Sequence, residues 1–178
     1  DYRIPKMFRA DKQDYRGSGH DRGHLVASAD LRDTELQNSE TFLLSNMSPQ
    51  VPNFNRRIWK DLESAVRVLD ATDDVLETYV ISGPIFNFNQ AIECIGETDN
   101  NKVTLPVPHA YFKSVLAETR SGALKMWSFI LPNENLNNPL SDYLVTTTKV
   151  EQRAGILLWE RLVGPEVERE KNSVRTMW

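Results

Sequence analysis

Apolar residues recur at helical spacing in one long segment, residues 55–69. They fall at positions i, i+4, i+7, i+8 and i+11, which places them on one face of a helix: Ile58, Leu62, Ala65, Val66 and Leu69. Asn53 precedes them, and its side chain is of the type that caps a helix N-terminus. The pattern therefore predicts an amphipathic helix over 55–69 that buries its apolar face.

Runs of β-branched and aromatic residues predict the strands. Residues 110–116 and 125–131 flank the turn Arg120-Ser121-Gly122, an arrangement typical of an antiparallel hairpin. Residues 76–82 are predicted to form a buried strand, and a proline places the strand 103–107 near a sheet edge.

Weaker patterns complete the picture of an α+β domain with an antiparallel sheet. They predict a short strand at 25–27, one or two helical turns at 31–40, a strand or buried connector at 41–45, a helix at 148–158, and a helical or frayed tail after Gly164-Pro165.

Composition places the chain among ordinary globular domains. Its 178 residues are enough for one domain with a sizeable core, and no apolar run approaches the roughly 20 residues that span a bilayer. The single cysteine, Cys94, excludes an internal disulfide and a multi-cysteine zinc site, and we expect it to be a small buried residue. The start at Asp1, without an initiator methionine, favours a processed protein, an excised fragment or one part of a longer protein.

The charge distribution argues against a domain that holds nucleic acid by its overall charge, because the net charge is −4. Residues 1–24 nevertheless carry six Lys and Arg against four Asp, and residues 52–60 contain three basic residues and no acidic one. We therefore predict a basic cleft on an acidic body, which suits an enzyme that binds a polyanion and releases it.

The four residues Asp21-Arg22-Gly23-His24 carry the strongest chemical signal. They follow Gly17-Ser18-Gly19, where two glycines permit positive φ in a tight loop. His24 is predicted to act as a general base, because imidazole titrates near neutrality. A buried structural histidine is the commoner role for an arbitrary histidine, but the neighbouring residues favour catalysis here. His20 and His109 are interpreted as structural.

Asn55 and Glu63 are predicted to form a metal site. Eight residues of helix separate them by about 80° around the axis, so both project to one side, two turns apart. A neutral amide oxygen with water ligands suits Mg²⁺, and Glu63 could bind one of those waters. The alternative is that Asn55 makes contacts at the helix N-terminus and Glu63 faces solvent, and for either residue taken alone this alternative is favoured.

Basic residues close to these positions are candidates for substrate contacts. Arg22 can bind a phosphate through two guanidinium nitrogens, with a surface ion pair as the alternative. Arg56 and Arg57 open the helix, where an anion is also favoured by the helix N-terminus, although solvated surface charge explains them equally well. Asp21 is interpreted first as structural, orienting the loop or a neighbouring arginine.

Several stretches together resemble the DNA/RNA non-specific endonuclease family of endonuclease G-like nucleases. The likeness covers about residues 1–165, and its motifs are specific in combination. They are Tyr15-Arg16-Gly17-Ser18-Gly19-His20 with Asp21 to His24; Thr41-Phe42-Leu43-Leu44-Ser45-Asn46-Met47-Ser48-Pro49-Gln50; Asn55-Arg56, Trp59 and Leu62-Glu63; and Val80-Ile81-Ser82-Gly83-Pro84 with Val103-Thr104-Leu105-Pro106.

The resemblance implies a ββα-metal nuclease fold, which is an α+β architecture with a central antiparallel sheet flanked by helices. It implies a Mg²⁺-dependent endonuclease that cleaves DNA and RNA and leaves 5′-phosphate and 3′-hydroxyl ends, with Mn²⁺ as a candidate substitute. In that family likeness His24 is the general base, Asn55 is the direct protein ligand of a single Mg²⁺, and Glu63 supports the hydrated ion.

The resemblance also implies that Arg22 contacts the phosphate and that Asp21 and Asn46 are supporting site residues. Family members carry an earlier stretch with further sheet strands and another active-site arginine, which no arginine near the start of this chain matches by motif. We therefore expect 1–178 to be a single nuclease domain with an unfilled sheet edge. A second chain, another segment of a larger protein, or a shortened form of the fold would each account for the missing strands.

Three further expectations concern biology. The nuclease could be an effector held inactive by a partner or released by proteolysis; a non-catalytic nucleic-acid-binding homologue is disfavoured because His24, Asn55 and Glu63 are all present. Family relatives form homodimers. Relatives are mitochondrial, periplasmic or secreted, and a regulated effector would be cytoplasmic; no membrane partner is expected.

Overall fold

Two short strands and a long helix form the unit that carries the candidate residues. In this computed structural model, which describes residues 1–97 and 102–178, β1 (Asp21–His24) pairs antiparallel with β2 (Met47–Gln50). The helix follows at once as α2 (Pro52–Phe54), a π-helical turn (Asn55–Trp59) and α3 (Lys60–Asp70). The helix predicted from the apolar spacing is confirmed, and the order is strand, strand, helix.

The start of this helix differs from the prediction. Val51, and not Asn53, occupies the N-cap position, and Pro52 is the first helical residue. Proline suits that position because its missing N–H would have no partner there and its φ is already helical. The chain therefore enters the helix ahead of Asn53, whose side chain is exposed.

The short strand also lies elsewhere than predicted. The polar residues of β1 pair with β2 from Asp21 opposite Gln50 to His24 opposite Met47, whereas 25–27 lie outside any strand. Gly23 permits the close packing, because a Cβ at this position would overlap the buried side chain of Gln50. Pairing between segments thus outweighs the weak strand preference of the residues themselves.

The central sheet consists of β3 (Val75–Ile85), β6 (Ala110–Thr119), β7 (Leu124–Pro132) and β8 (Leu144–Val145). The order of the strands across the sheet is β3-β6-β7-β8, and every neighbouring pair is antiparallel. The predicted hairpin is confirmed as β6 and β7, joined by a turn in which Gly122 has a φ of 84°.

Residues 76–82 lie in a strand, as predicted, but the prediction that this strand is buried is wrong. Leu76 is 55% exposed and Tyr79 41% exposed. Within the described ranges β3 pairs with β6 alone, so its outer edge and part of both faces are open. Hydrophobic composition indicated the strand correctly, but composition says nothing about which strand lies at an edge.

A separate two-stranded sheet joins β4 (Cys94–Ile95) to β5 (Leu105–Pro106). The edge position predicted for the strand around Pro106 agrees with this pairing. Cys94 is a free thiol of intermediate exposure, so the expectation of a buried cysteine is wrong: its strand is two residues long, and Ile95 is the residue that it buries.

The remaining helices are α1 (Glu35–Thr41), α4 (Thr147–Ala154) and α5 (Pro165–Lys171). Residues 44–46 form a 3₁₀ turn, so 41–45 are a connector and not a strand. α4 ends earlier than predicted because Gly155 adopts the left-handed conformation that terminates helices. None of the helices in the described ranges is long and apolar enough to cross a bilayer.

Helices cover both faces of the central sheet. The larger core joins α3 and the π-helical turn to β6 and β7, with Trp59, Leu62, Tyr111, Val115 and Phe129 among its buried members. A second core on the other face packs Val150 of α4 and Leu158 against Ile85 and Phe112. The ββα unit is thereby fixed on one face of the sheet, and the predicted α+β class is confirmed.

Candidate active site

His24 stands at the end of β1 with one ring nitrogen buried and unpaired. Its backbone carbonyl accepts a hydrogen bond from the indole Nε1 of Trp59 at 3.1 Å, and its ring meets Phe42 edge-on at a centroid distance of 5.1 Å. Nε2 has no hydrogen-bond partner among the described residues. The strand and the helix thus hold the ring while this nitrogen remains available to accept a proton.

The electrostatic environment keeps His24 neutral. Burial lowers the pKa of the imidazole below its ordinary value of 6.5, and the positive charge of Arg22 lowers it further. A neutral imidazole accepts protons at neutral pH. Arg22 and His24 lie two residues apart on β1 and so share one face of the strand.

Asn55 is oriented by a carboxylate. Its Nδ2 donates to Oδ2 of Asp21 at 3.0 Å, which assigns the amide oxygen as the atom left to face a ligand. Asp21 also receives two hydrogen bonds from Arg56, at 2.8 Å and 2.7 Å. Partial burial raises the pKa of the Asp21 carboxyl, but the hydrogen bonds from Arg56 and Asn55 outweigh it and the pKa lies below its usual range.

The π-helical turn aligns Asn55 with Glu63. A π turn closes with a hydrogen bond to i+5, and therefore rotates the chain less per residue than an α turn. Asn55 to Trp59 form such a turn. In a regular α-helix the side chains of Asn55 and Glu63 would be separated by about 80° around the helix axis. The smaller rotation of the π turn reduces this angle, so the two side chains project in more similar directions. π turns often mark functional sites.

Glu63 lies half-buried beside several charges. Burial raises the pKa of its carboxyl, whereas the positive charges of Lys113 and Arg67 oppose that rise. Arg67, one helical turn further on, forms a 2.7 Å ion pair with Asp30. A cation bound next to Glu63 would favour the ionised carboxylate.

Arg22 lines a basic cleft in front of β1. The cleft has a volume of about 530 Å³, and its walls include Lys12, Tyr15, Arg16, Arg22 and Asn55. Arg22 is exposed there, as a phosphate contact requires. The cleft agrees with the prediction of a basic groove on an acidic body.

Three other predicted residues take supporting positions or lie apart. Asn46 holds the loop after β1, because its Nδ2 donates to the carbonyls of Val26 and Thr41, each at 2.9 Å. Arg56 is held by Asp21, whereas Arg57 is exposed and forms no ion pair within the described ranges. Arg56 is therefore fixed against Asp21, whereas the side chain of Arg57 lies in solvent.

Two charged residues near Glu63 were missed by sequence reasoning: Arg67 and Lys113. Arg67 has the spacing of a residue one helical turn after Glu63, a signal that was present in the sequence. Lys113 is a single charge within the apolar strand 110–117, which is unusual because lysine is rarely buried without a partner.

The residues suit a hydrated, hard divalent ion. No cluster of three or more His, Cys, Asp and Glu side chains capable of holding a metal occurs in 1–97 or 102–178, so within these ranges a site built from several charged ligands is absent. An oriented amide oxygen and a carboxylate further along the same helix suit Mg²⁺, which takes few protein ligands and keeps most of its waters. Asn55, which lines the cleft, and Glu63 therefore fit such an ion.

The fold is that of the ββα-metal nuclease class. Residues 1–163 match the family model described as DNA/RNA non-specific endonuclease. The chain belongs to this family, and the resemblance inferred from the motifs is confirmed.

Individual relatives agree with this assignment. A nuclease of Syncephalastrum racemosum is 38% identical over 174 residues, covering 89% of this chain and 53% of that protein. Mitochondrial endonuclease G of Bos taurus is 36% identical over 161 residues, covering 86% and 52%. The crystal structure of an EndoG/EndoGI complex contains a chain with a TM-score of 0.82 and 34% identity, covering 92% of this chain and 68% of that chain. The chain thus spans about half the length of the curated relatives it matches.

Proposed function

We propose that the protein is a divalent-metal-dependent endonuclease that hydrolyses phosphodiester bonds of DNA and RNA without sequence preference. The observation that carries this proposal is the buried Nε2 of a neutral His24, which has no hydrogen-bond partner in the described part of the chain. The backbone carbonyl of His24 is held by Trp59, on the same helix as Asn55 and Glu63. Family membership and the names of the relatives support the nuclease class.

In the proposed reaction, Nε2 of His24 takes a proton from the water that attacks the phosphorus. The bond from phosphorus to the 3′-oxygen breaks, and this oxygen takes a proton from solvent, which leaves a 5′-phosphate and a 3′-hydroxyl. The proton on His24 is then released to solvent. Arg22 binds the non-bridging phosphate oxygens and balances the charge that they gain. Asp21 keeps Asn55 and Arg56 in place throughout, and Asn46 fixes the loop behind His24.

Asn55 and Glu63 would hold the metal ion, with Asn55 as its direct protein ligand through the amide oxygen and Glu63 supporting its waters. When bound, Mg²⁺ supplies Lewis-acid stabilisation of the phosphate and of the leaving oxygen. Mn²⁺ is the expected substitute because it also prefers oxygen ligands. Contacts to the phosphate backbone carry no base information, which accounts for the proposed lack of sequence preference.

The test is a cleavage assay on supercoiled plasmid and on structured RNA, with Mg²⁺, with Mn²⁺ and with EDTA. We expect both substrates to be cut with either metal and neither with EDTA, and end-labelling should find 5′-phosphates. Binding of nucleic acid without cleavage in any metal would instead support a non-catalytic homologue and overturn the proposal.

Replacement of Arg22 is expected to change the pH dependence. His24 must be neutral to act, so activity is lost as the pH falls through its pKa, and Arg22 helps to hold that pKa below 6.5. Arg22→Gln removes the cation and should shift the acid limb of the kcat/KM profile to higher pH, in addition to lowering kcat/KM at every pH. Arg22→Lys keeps the charge and should retain the acid limb of the unmodified protein. An unchanged acid limb in Arg22→Gln would show that the two residues are not coupled.

We also propose that a further strand covers the outer edge of β3. Exposed apolar residues on an open edge favour pairing with another strand, and Leu76, Tyr79 and Val80 are such residues. A largely apolar groove of about 730 Å³ lies over a face of the sheet and includes Tyr79 of β3, Leu116 of β6 and Trp159 in its lining. The strand would come from a second chain or from another segment of a longer protein, so the cleavage assay should compare 1–178 with the full-length protein.

The biological setting follows the relatives. Several are named mitochondrial, which supports the mitochondrion as one location alongside the periplasmic, secreted and cytoplasmic alternatives. The solved EndoG/EndoGI complex is one in which EndoG is inhibited, and a protein inhibitor of this chain is proposed by analogy. That 1–178 form a single nuclease domain, and that the protein forms a homodimer, stay predictions.

A further inference from the structure

Lys113 is a buried cation in the middle of the central sheet. It lies on β6, opposite Ser82 of β3, and only 2% of its surface is exposed. A buried ammonium is costly unless other groups compensate its charge. The proposed reaction makes no use of this residue.

The contacts of Lys113 lead to the helix of the candidate site. Its Nζ donates to Oγ of Ser82 at 2.8 Å and lies 4.5 Å from the centroid of the Trp59 ring. An ammonium over the face of an indole is attracted by the ring electrons. The edge of the same indole donates to the carbonyl of His24, so Trp59 lies between Lys113 and the base.

Two carboxylates, Glu63 and Asp30, exert their negative charge on Lys113. Burial lowers the pKa of Lys113 to about 8, and the charges of Glu63 and Asp30 oppose that change. Asp30 already pairs with Arg67 at 2.7 Å. Glu63 forms no ion pair within the described residues, so its carboxylate is the charge left to match the buried ammonium.

We propose that Lys113 is a positioning residue of the active site, which fixes Trp59, and with it the helix that carries Asn55 and Glu63, so that the helix can hold a hydrated divalent ion. The inference rests on the proposed function. One buried side chain thereby supports the π-helical turn from the sheet side, through its contact with the face of Trp59. Lys113 itself touches neither the ion nor the substrate.

The positioning role differs measurably from a purely structural one. Lys113→Met removes the cost of burying an ammonium, but it also leaves the partly buried Glu63 carboxylate without the cation that acts on it. We therefore expect Lys113→Met to fold with a melting temperature near or moderately below that of the unmodified protein, and to lose metal affinity. A residue that only filled the core would change stability and leave metal binding intact.

The experiment uses the full-length protein with Mn²⁺ as the probe, because its binding is measurable by calorimetry and by electron paramagnetic resonance without substrate. Lys113→Met should weaken Mn²⁺ binding about 10- to 100-fold, the range typical of groups that support metal ligands. At fixed, subsaturating metal, kcat should fall while KM for nucleic acid stays constant. Excess Mn²⁺ should recover most of kcat.

Lys125→Met is the matched control. Lys125 lies on the neighbouring strand β7 and pairs with Asp74 at 2.9 Å, away from the candidate site, so its replacement should leave Mn²⁺ affinity unchanged. A double-mutant cycle supplies an independent readout: Glu63→Gln with Lys113→Met should lose less affinity than the two single losses combined. If circular dichroism shows that Lys113→Met is unfolded, Lys113→Gln, which removes the charge but keeps a hydrogen-bond donor, serves in its place.

Two results would overturn the inference: Mn²⁺ affinity in the folded variant equal to that of the unmodified protein, or an equal loss in Lys125→Met. If either result is found and the unmodified protein still cuts nucleic acid, the proposed function is unaffected. An unmodified protein that neither binds Mn²⁺ nor cleaves would overturn the proposed function, and this inference with it.

Discussion

His24→Ala is expected to lower the rate of plasmid cleavage by about 10²- to 10⁴-fold, the contribution typical of a positioned general base. The buried Nε2 of His24 is unpaired among the described residues and its pKa is depressed, so it is neutral and ready to accept the proton of the attacking water. Nucleic-acid affinity should change little, because Arg22 and the other residues of the basic cleft remain. Initial rates and fluorescence anisotropy on the same duplex measure the two effects separately.

His109→Ala is the control for this prediction. The ring of His109 accepts a hydrogen bond from the backbone of Asn87 at 3.1 Å and its other nitrogen lies 3.2 Å from the carbonyl of Ala91, so it holds a loop. Its replacement should lower stability and leave the cleavage rate of the folded fraction unchanged. A His24→Ala protein that keeps more than a tenth of the activity would assign the base to another group.

Much of the fold was predictable because its long elements repeat regularly. The spacing of the apolar residues in 55–69 is that of a helix. The two apolar runs 110–116 and 125–131, which flank a glycine-containing turn, have the pattern of a β-hairpin. β1 could not be predicted, since its residues are polar and the strand exists only because Gly23 lets Gln50 pack against it. Local preference and long-range pairing differ most where a strand is short.

The candidate site shows the same division. His24, Asn55 and Glu63 stand in motifs or at helical spacing, so they could be proposed as site residues from the sequence. Three contacts join residues that lie more than thirty positions apart in the sequence. They are the hydrogen bond from Asn55 to Asp21, the hydrogen bonds from Arg56 to Asp21, and the contact of Lys113 with the ring of Trp59. Contacts of that kind depend on the assembled sheet and helix, and no spacing rule in one sequence contains them.

Asp21 illustrates how the two kinds of information combine. The sequence suggested that it orients a loop or an arginine, and the structure adds that it orients the metal-binding candidate Asn55 as well. Its depressed pKa keeps it ionised over the working range, so the carboxylate always accepts from the amide nitrogen. The amide oxygen therefore takes no part in this bond, and the proposed metal ligand is linked to a residue of β1.

Asn55→Ala is expected to weaken metal binding and cleavage together. Alanine removes the only direct protein ligand proposed for the ion, so the loss of Mn²⁺ affinity should exceed the 10- to 100-fold typical of supporting residues. It also removes one hydrogen bond to Asp21, worth about 1 kcal/mol of unfolding free energy, and the pKa of Asp21 should rise accordingly. Calorimetric titration with Mn²⁺ and cleavage over a range of Mg²⁺ concentrations measure the first effect, and thermal unfolding the second.

Asn53→Ala is the matched control, because Asn53 lies one half-turn earlier on the same helix with its side chain exposed and has no proposed contact with the ion. It should bind Mn²⁺ as the unmodified protein does. Wild-type affinity in Asn55→Ala, or full cleavage at ordinary Mg²⁺ concentrations, would contradict the ligand assignment. If Asn55→Ala lost stability and kept its Mn²⁺ affinity, the role of Asn55 would be structural, as a hydrogen-bond partner of Asp21. The metal site would then depend on Glu63.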